Sequence, residues 1–125
     1  MTGAPGSLGD LGRRGERLAL DYLTAHGHTL VEANVRRREG EIDLITLDGD
    51  TLVFVEVKLR RSARLGGAIS ALTMAKQRRM AALAEAYAAE HPELPARQRI
   101  DLVAIDLGPG GDVANLQHVE SAVEG

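Results

Sequence analysis

Two short segments hold the residues of this 125-residue chain best suited to chemistry: Glu41-Ile42-Asp43-Leu44-Ile45 and, ten residues on, Val55-Glu56-Val57-Lys58. Side chains on a strand alternate between faces. Glu41 and Asp43 are therefore expected on one face, as are Glu56 and Lys58, with Ile42, Leu44, Val55 and Val57 turned the other way into a core. Residues i and i+2 lie about 7 Å apart and opposed residues on paired strands about 5 Å apart. Asp43, Glu56 and Lys58 then converge on a volume that suits one divalent cation. Mg²⁺ is typically held by one or two carboxylates together with water and substrate phosphate oxygens, and Mn²⁺ is the expected substitute. A lysine beside it can lower the pKa of an attacking water or neutralise charge that builds on phosphorus.

Taken alone, Val-Glu-Val-Lys is what a half-solvated strand looks like, and Glu–Lys at i, i+2 is common. A lone Asp in a run as apolar as Ile42–Ile45 is unusual, however, and both strands break their pattern with acids at positions able to meet. The combination, rather than either segment, points to a site.

The elements that must position these residues follow from periodicity and turn chemistry. Residues 1–9 are rich in Gly, Pro, Ser and Thr and read as a disordered tail. From Asp10 a helical stripe of Leu11, Leu18, Ala19, Tyr22 and Leu23 runs to Gly27, a natural stop. Thr29–Ala33 is the first expected strand, followed by Asn34 and the basic run Arg36-Arg37-Arg38. The site strands, Glu41–Leu47 and Thr51–Lys58, flank an Asp48-Gly49-Asp50 turn. A loop containing Arg60, Arg61, Arg64, Gly66 and Gly67 follows Lys58. A long helix is expected from about Ala68 or Ser70 to about Glu90, with Thr73 as a cap within it and Pro92 and Pro95 behind it. Arg99–Leu107 is a further strand, Val113–Val119 an edge strand, and residues 121–125 a tail. One domain, residues 10–120, is expected.

The formal net charge is −3, but the charges are unevenly spread. All 15 Lys and Arg lie between Arg13 and Arg99, residues 11–99 carry +3, and residues 100–125 carry −5. That asymmetry allows one basic face for a phosphate backbone. Arg36, Arg37, Arg38, Arg60, Arg61 and Arg64 flank the site strands, and Lys76, Arg78 and Arg79 lie near the start of the long helix. With three aromatic residues in all, base stacking has little material, so recognition should rest on backbone and shape.

Other chemistries find little support. Without cysteine there is no disulfide, thiol nucleophile or Cys-ligated zinc. His26, His28, His91 and His118 lack metal-ligand spacing and are expected on loops or exposed surface. No Gly-rich phosphate loop and no nucleophile elbow is present. No apolar run approaches membrane-spanning length and no signal-peptide core is visible, so a soluble cytoplasmic protein is expected.

The pattern Gly-Glu-Ile-Asp-Leu-Ile (40–45), a turn, then Phe-Val-Glu-Val-Lys (54–58) resembles the PD-(D/E)XK nuclease superfamily. Within it the chain resembles the small bacterial YraN-like family, which is similar to archaeal Holliday-junction resolvases. The likeness extends from the helix and strand at 12–36 through the segment 58–87 to the strand at 99–107. It implies an α/β restriction-endonuclease-like core, a mixed β-sheet flanked by helices in the order α-β-β-β-α-β. It also implies that Glu16 joins Asp43 and Glu56 in an acidic metal site assisted by Lys58. A metal-dependent DNA endonuclease acting on branched or recombination-intermediate DNA is the expected function. Homodimers are expected by the same likeness, because two symmetric cuts need two sites. The competing expectation is a non-catalytic DNA-binding accessory protein working with recombination, repair or DNA-uptake machinery.

Overall fold

The computed structural model describes residues 8–61 and 73–122, with side chains from Gly12 onward. Of the expected tails 1–9 and 121–125, residues 1–7 and 123–125 lie outside these residues, as do the part of the loop containing Arg64 and the expected helix start near 68–70. Leu8 and Gly9 are already helical, and Ser121 and Ala122 are bonded to the sheet. Seven elements follow one another: α1 (Leu8–Ala25), β1 (His28–Arg37), β2 (Gly40–Asp48), β3 (Thr51–Arg61), α2 (Met74–Glu90), β4 (Arg97–Leu107) and β5 (Val113–Val119). This is the expected mixed α/β order with the edge strand β5 added. Among the described residues no helix is long and apolar enough to cross a membrane.

The five strands form one sheet in the order β1-β2-β3-β4-β5. Every pairing is antiparallel except β3 with β4, which run parallel from Thr51↔Arg97 to Arg61↔Leu107. A parallel neighbour needs a crossover, and α2 lies in it. The two helices cover opposite faces. Met80, Leu83, Ala84 and Tyr87 of α2 pack with Val35, Ile42, Ile45, Leu52, Phe54 and Ile100. Ala19 and Leu23 of α1 pack with Leu44, Val53, Val55, Val103, Ile105 and Leu107. Burial on both faces explains why Leu52–Val55 is uniformly apolar instead of alternating.

Local chemistry fixes the element ends. Gly27, at φ 94°, stops α1 where a left-handed residue is needed, as the sequence predicts. Thr73 is extended (φ −79°, ψ 162°) and its hydroxyl accepts the Lys76 N–H at 3.2 Å, so it caps α2, as the sequence predicts. Strand β1 reaches Arg37, four residues beyond the expected Ala33, because Val35 is buried and pairs with Ile42. Strand β3 likewise extends past Lys58 to Arg61, carried by its ladder with β4.

The histidines depart from expectation. His28 is a buried strand residue and His118 a half-buried one, and each finds a polar partner distant in sequence. His28 Nδ1 bonds the Thr46 hydroxyl at 2.8 Å, and burial lowers its pKa. His118 Nε2 lies 2.8 Å from Asp101 Oδ2, and the fully buried Asp101 also accepts from Arg99 Nε at 2.9 Å and Ser121 N–H at 3.1 Å. Ala122 N–H reaches the Ile100 carbonyl at 2.8 Å, so this cluster ties the chain after β5 to β4.

Burial opposes ionisation of Asp101, but hydrogen bonds from His118, Arg99 and Ser121 outweigh it and hold the carboxyl below its ordinary pKa. A depressed carboxylate contributes stability above its unfolded pKa and loses it as pH falls through the folded value. Asp101→Ala should therefore cost about 3–5 kcal/mol at neutral pH, since it removes the buried carboxylate that Arg99, His118 and the Ser121 N–H share. Asp101→Asn should be less stable than the parent at neutral pH and converge with it as pH falls below the ordinary carboxylate range, both read by urea unfolding.

Candidate active site

Strands β2 and β3 are paired from Asp48↔Thr51 to Leu44↔Val55. Just beyond that register, the Val57 N–H donates to Asp43 Oδ2 at 2.7 Å. The β1–β2 ladder also skips a pair here, passing from Ala33↔Leu44 to Val35↔Ile42 in unchanged register, whereas its register shift lies earlier, between Leu30 and Glu32. The residue left between Ala33 and Val35 is Asn34, at φ 55°, a conformation that Asn tolerates better than most. One consequence corrects strict alternation. Ile42 packs under α2 and Leu44 under α1, although they are two residues apart. Asp43 sits at this irregularity, where its carboxylate takes a backbone N–H of the neighbouring strand.

Asp43 and Glu56 lie on adjacent antiparallel strands, and the charge of Glu56 and a hydrogen bond with it act on Asp43. Glu56 is buried at 4% exposure, and Lys58 Nζ lies 3.3 Å from its Oε2. Glu16 arrives from the opposite layer. Gly15 faces β3 so closely that an added Cβ would stand 3.1 Å from the Leu59 Cβ, which lets α1 approach and brings Glu16 within electrostatic reach of Asp43.

Lys76 is placed differently from its expected role as a phosphate contact: its Nζ is bonded to Glu56 Oε2. The Thr73 cap fixes the first turn of α2, and Lys76 reaches from that turn to the buried carboxylate. Only the crossover of α2 over β3 makes this contact, so no local sequence signal announced it.

The charges in this cluster perturb one another. Burial first, then the charges of Glu56 and Glu16, push Asp43 up to about 7, against the lowering effect of the Val57 N–H. Burial and the adjacent Lys76 ammonium lower Lys58. Burial also works against Lys76, but its bonds to Glu56 outweigh that and leave its pKa raised. Like charges confined in a poorly solvated place favour a cation. Asp43 and Glu56 offer oxygen donors of the kind that hard divalent ions prefer, and so fit one. Among the described residues no three His, Asp or Glu form a ready-made cage, so water and substrate oxygens would complete the coordination.

The expected arginines divide into two groups. Arg36, Arg37, Lys76 and Arg79 line a cleft of about 430 Å³ with Gly40, Glu41 and Met80, between the β1–β2 end and α2. Two of these have acidic partners as well, Arg36 with Glu41 and Arg37 with Glu90, each at 3.2 Å. Arg38 is exposed at the turn after β1, and Arg60 and Arg61 are exposed at the far end of β3, outside the cleft.

The profile of the uncharacterised protein family UPF0102 matches residues 15–105, which span both site strands and both helix–strand junctions. A UPF0102 protein of Symbiobacterium thermophilum is 50% identical over 81% of this chain and 86% of its own length. Relatives of the same name from Clavibacter michiganensis (44% identical, 90% and 95% covered) and Geobacter metallireducens (40%, 91% and 92%) are similar over nearly their full length. The chain belongs to the UPF0102 family, the YraN-like family that its motif pattern resembles.

Proposed function

We propose that this protein is a metal-dependent endonuclease that hydrolyses phosphodiester bonds in DNA, with branched or recombination-intermediate DNA as its substrate. The observation that carries this reading is the Asp43–Glu56 pair, where burial first and the charge of Glu56 second lift Asp43 to about 7 in a place built from two strands and both helices. Retaining such a pair costs stability, and strained electrostatics of this kind mark sites kept for function. Asp43 and Glu56 would hold Mg²⁺ or Mn²⁺, with Glu16 supplying charge from α1. When bound, the ion supplies a Lewis acid for the phosphoryl oxygens and a water of lowered pKa. Lys58, held 3.3 Å from Glu56 and with its pKa lowered by burial, is placed to hydrogen-bond an attacking water and offset charge on the phosphate. The cleft arginines, with Arg38, Arg60 and Arg61, bind phosphates on either side. A cytoplasmic location, a homodimer and association with recombination or DNA-uptake proteins accord with this role.

A non-catalytic DNA-binding protein is favoured by one observation, the Lys76 ammonium already seated on Glu56. A cleavage panel separates the readings: linear, nicked, flap and four-way DNA, each with Mg²⁺, Mn²⁺ or EDTA. The nuclease reading expects metal-dependent cuts that EDTA abolishes, whereas binding without cutting under every metal would leave the accessory role.

Asp43→Asn provides a second readout. A carboxyl whose folded pKa is raised binds its proton preferentially in the folded state. Stability is therefore highest in acid, falls as pH rises from about 4 to about 7, and stays low above that. Asp43→Asn should lose metal-dependent cleavage, yet at pH 8 without metal it should be more stable than the parent, by on the order of 1–3 kcal/mol. Mg²⁺ should raise the parent's melting temperature and leave that of the variant unchanged. A variant less stable than the parent at pH 8 would contradict the raised pKa.

The arginines are tested by salt. Phosphate contacts release counterions, so binding to duplex DNA should weaken with a log–log slope of roughly −0.9 per contact. Neutralising Arg60 and Arg61 together should flatten the slope by about two and weaken all sequences alike. An unchanged slope would make these two ordinary surface charges and confine the DNA path to the cleft.

A further inference from the structure

Lys76 belongs to two places at once. Its side chain lines the basic cleft with Arg37 and Arg79, and its ammonium is bonded to the buried Glu56 carboxylate. Among the described residues it is therefore the one shared between Glu56 and the cleft. Arg37 has Glu90 at 3.2 Å, while Arg79 has no ion pair among the described residues, so the cleft offers positive charge that the fold does not use up. Met80, the next helical residue, is buried beneath, which gives the cleft an apolar floor and anchors that turn of α2.

Resting on the metal-site reading above, we propose that Lys76 is an exchangeable counter-ion that couples the carboxylate site to the cleft. Without a divalent ion its ammonium balances Glu56 and Asp43. A divalent ion at the carboxylates displaces it by like-charge repulsion, and the freed ammonium joins Arg37 and Arg79 in holding a phosphate of the substrate strand in the cleft. No covalent bond changes; one cation replaces another at Glu56. Metal and nucleic-acid strand then bind cooperatively, since each favours the arrangement the other needs, and the coupling is reciprocal. Lys58 stays 3.3 Å from the same carboxylate, on the same strand, and is positioned by β3 whichever cation occupies Glu56.

The test compares the parent with Lys76→Met and Lys76→Arg. Mn²⁺ alone is titrated by calorimetry, and a fluorescent single-stranded oligothymidylate is titrated by anisotropy in EDTA and in Ca²⁺. Lys76→Met removes the competing charge and should bind Mn²⁺ roughly fivefold tighter than the parent, while Lys76→Arg, which still competes, should bind Mn²⁺ like the parent. Lys76→Met should also lose more oligonucleotide affinity in Ca²⁺ than in EDTA, by about fivefold, because only the metal-bound protein releases the lysine to the strand. Unchanged or weaker Mn²⁺ binding by a folded Lys76→Met overturns the exchange while leaving the nuclease reading intact. Equal losses of oligonucleotide affinity in the two conditions also overturn it, reducing Lys76 to a fixed surface charge. Failure of the parent and both variants to bind Mn²⁺ would bring down this inference and the metal-dependent reading together.

Discussion

The fold around the site is organised by a single hydrogen bond, from the Val57 N–H to the Asp43 carboxylate at 2.7 Å. A buried backbone N–H must find an acceptor, and in a sheet that acceptor is ordinarily a carbonyl of the next strand. Here the β2–β3 register ends at Leu44↔Val55 and a side chain takes over the task. Asp43 is thereby held at the sheet's interior rather than free to turn into solvent. The same placement brings it against Glu56 and within reach of Glu16, so structural satisfaction and electrostatic frustration come from one residue. The neighbouring irregularities serve this arrangement. Asn34 takes up a left-handed conformation on β1, Ile42 and Leu44 turn to opposite faces, and Gly15 lets α1 close on the site strands.

Around that point the molecule separates neutralised charge from exposed charge. Glu56 faces α2 with Leu52 and Phe54 and meets two ammonium groups, Lys58 from its own strand and Lys76 from the helix. The exposed arginines stay outside this layer, at the strand ends and in the cleft, where solvent screens them. Electrostatic focusing towards the carboxylates then depends on position rather than on total charge, which is why a chain of net charge −3 can still present a basic approach.

Much of this was legible in the sequence because it is encoded locally. The strands β2 and β3, their connecting turn and the facing of Asp43, Glu56 and Lys58 follow from β-branched runs and an Asp-Gly turn. Local reading fails where one residue resets the pattern or where the partner is distant. Asn34, a residue type rare in strands and here at φ 55°, makes β1 seem to end at Ala33, although Val35 rejoins the core. His28 and His118 look like surface histidines until Thr46 and Asp101, 18 and 17 residues away, are brought beside them. Lys76 looks like one more cation near a helix start, and its bond to Glu56 exists only because α2 crosses over β3.

The limit is clearest in a tripeptide that occurs twice. Ile42-Asp43-Leu44 and Ile100-Asp101-Leu102 are identical in sequence, and each places an acid inside an apolar strand of the same sheet. Burial opposes ionisation at both. At Asp101 the partners are Arg99, His118 and the Ser121 N–H, which outweigh burial and bring the pKa below its ordinary value. At Asp43 the partners are the carboxylates of Glu56 and Glu16, and with one N–H in opposition the pKa rises to about 7. The first acid is satisfied by the chain's own cations and serves as a clamp for β4, β5 and the residues that follow. The second is left with too little positive charge, an imbalance that a bound cation would correct. No local property distinguishes the two tripeptides. What separates a structural aspartate from a candidate ligand here is the sign of the charges that the topology delivers to it.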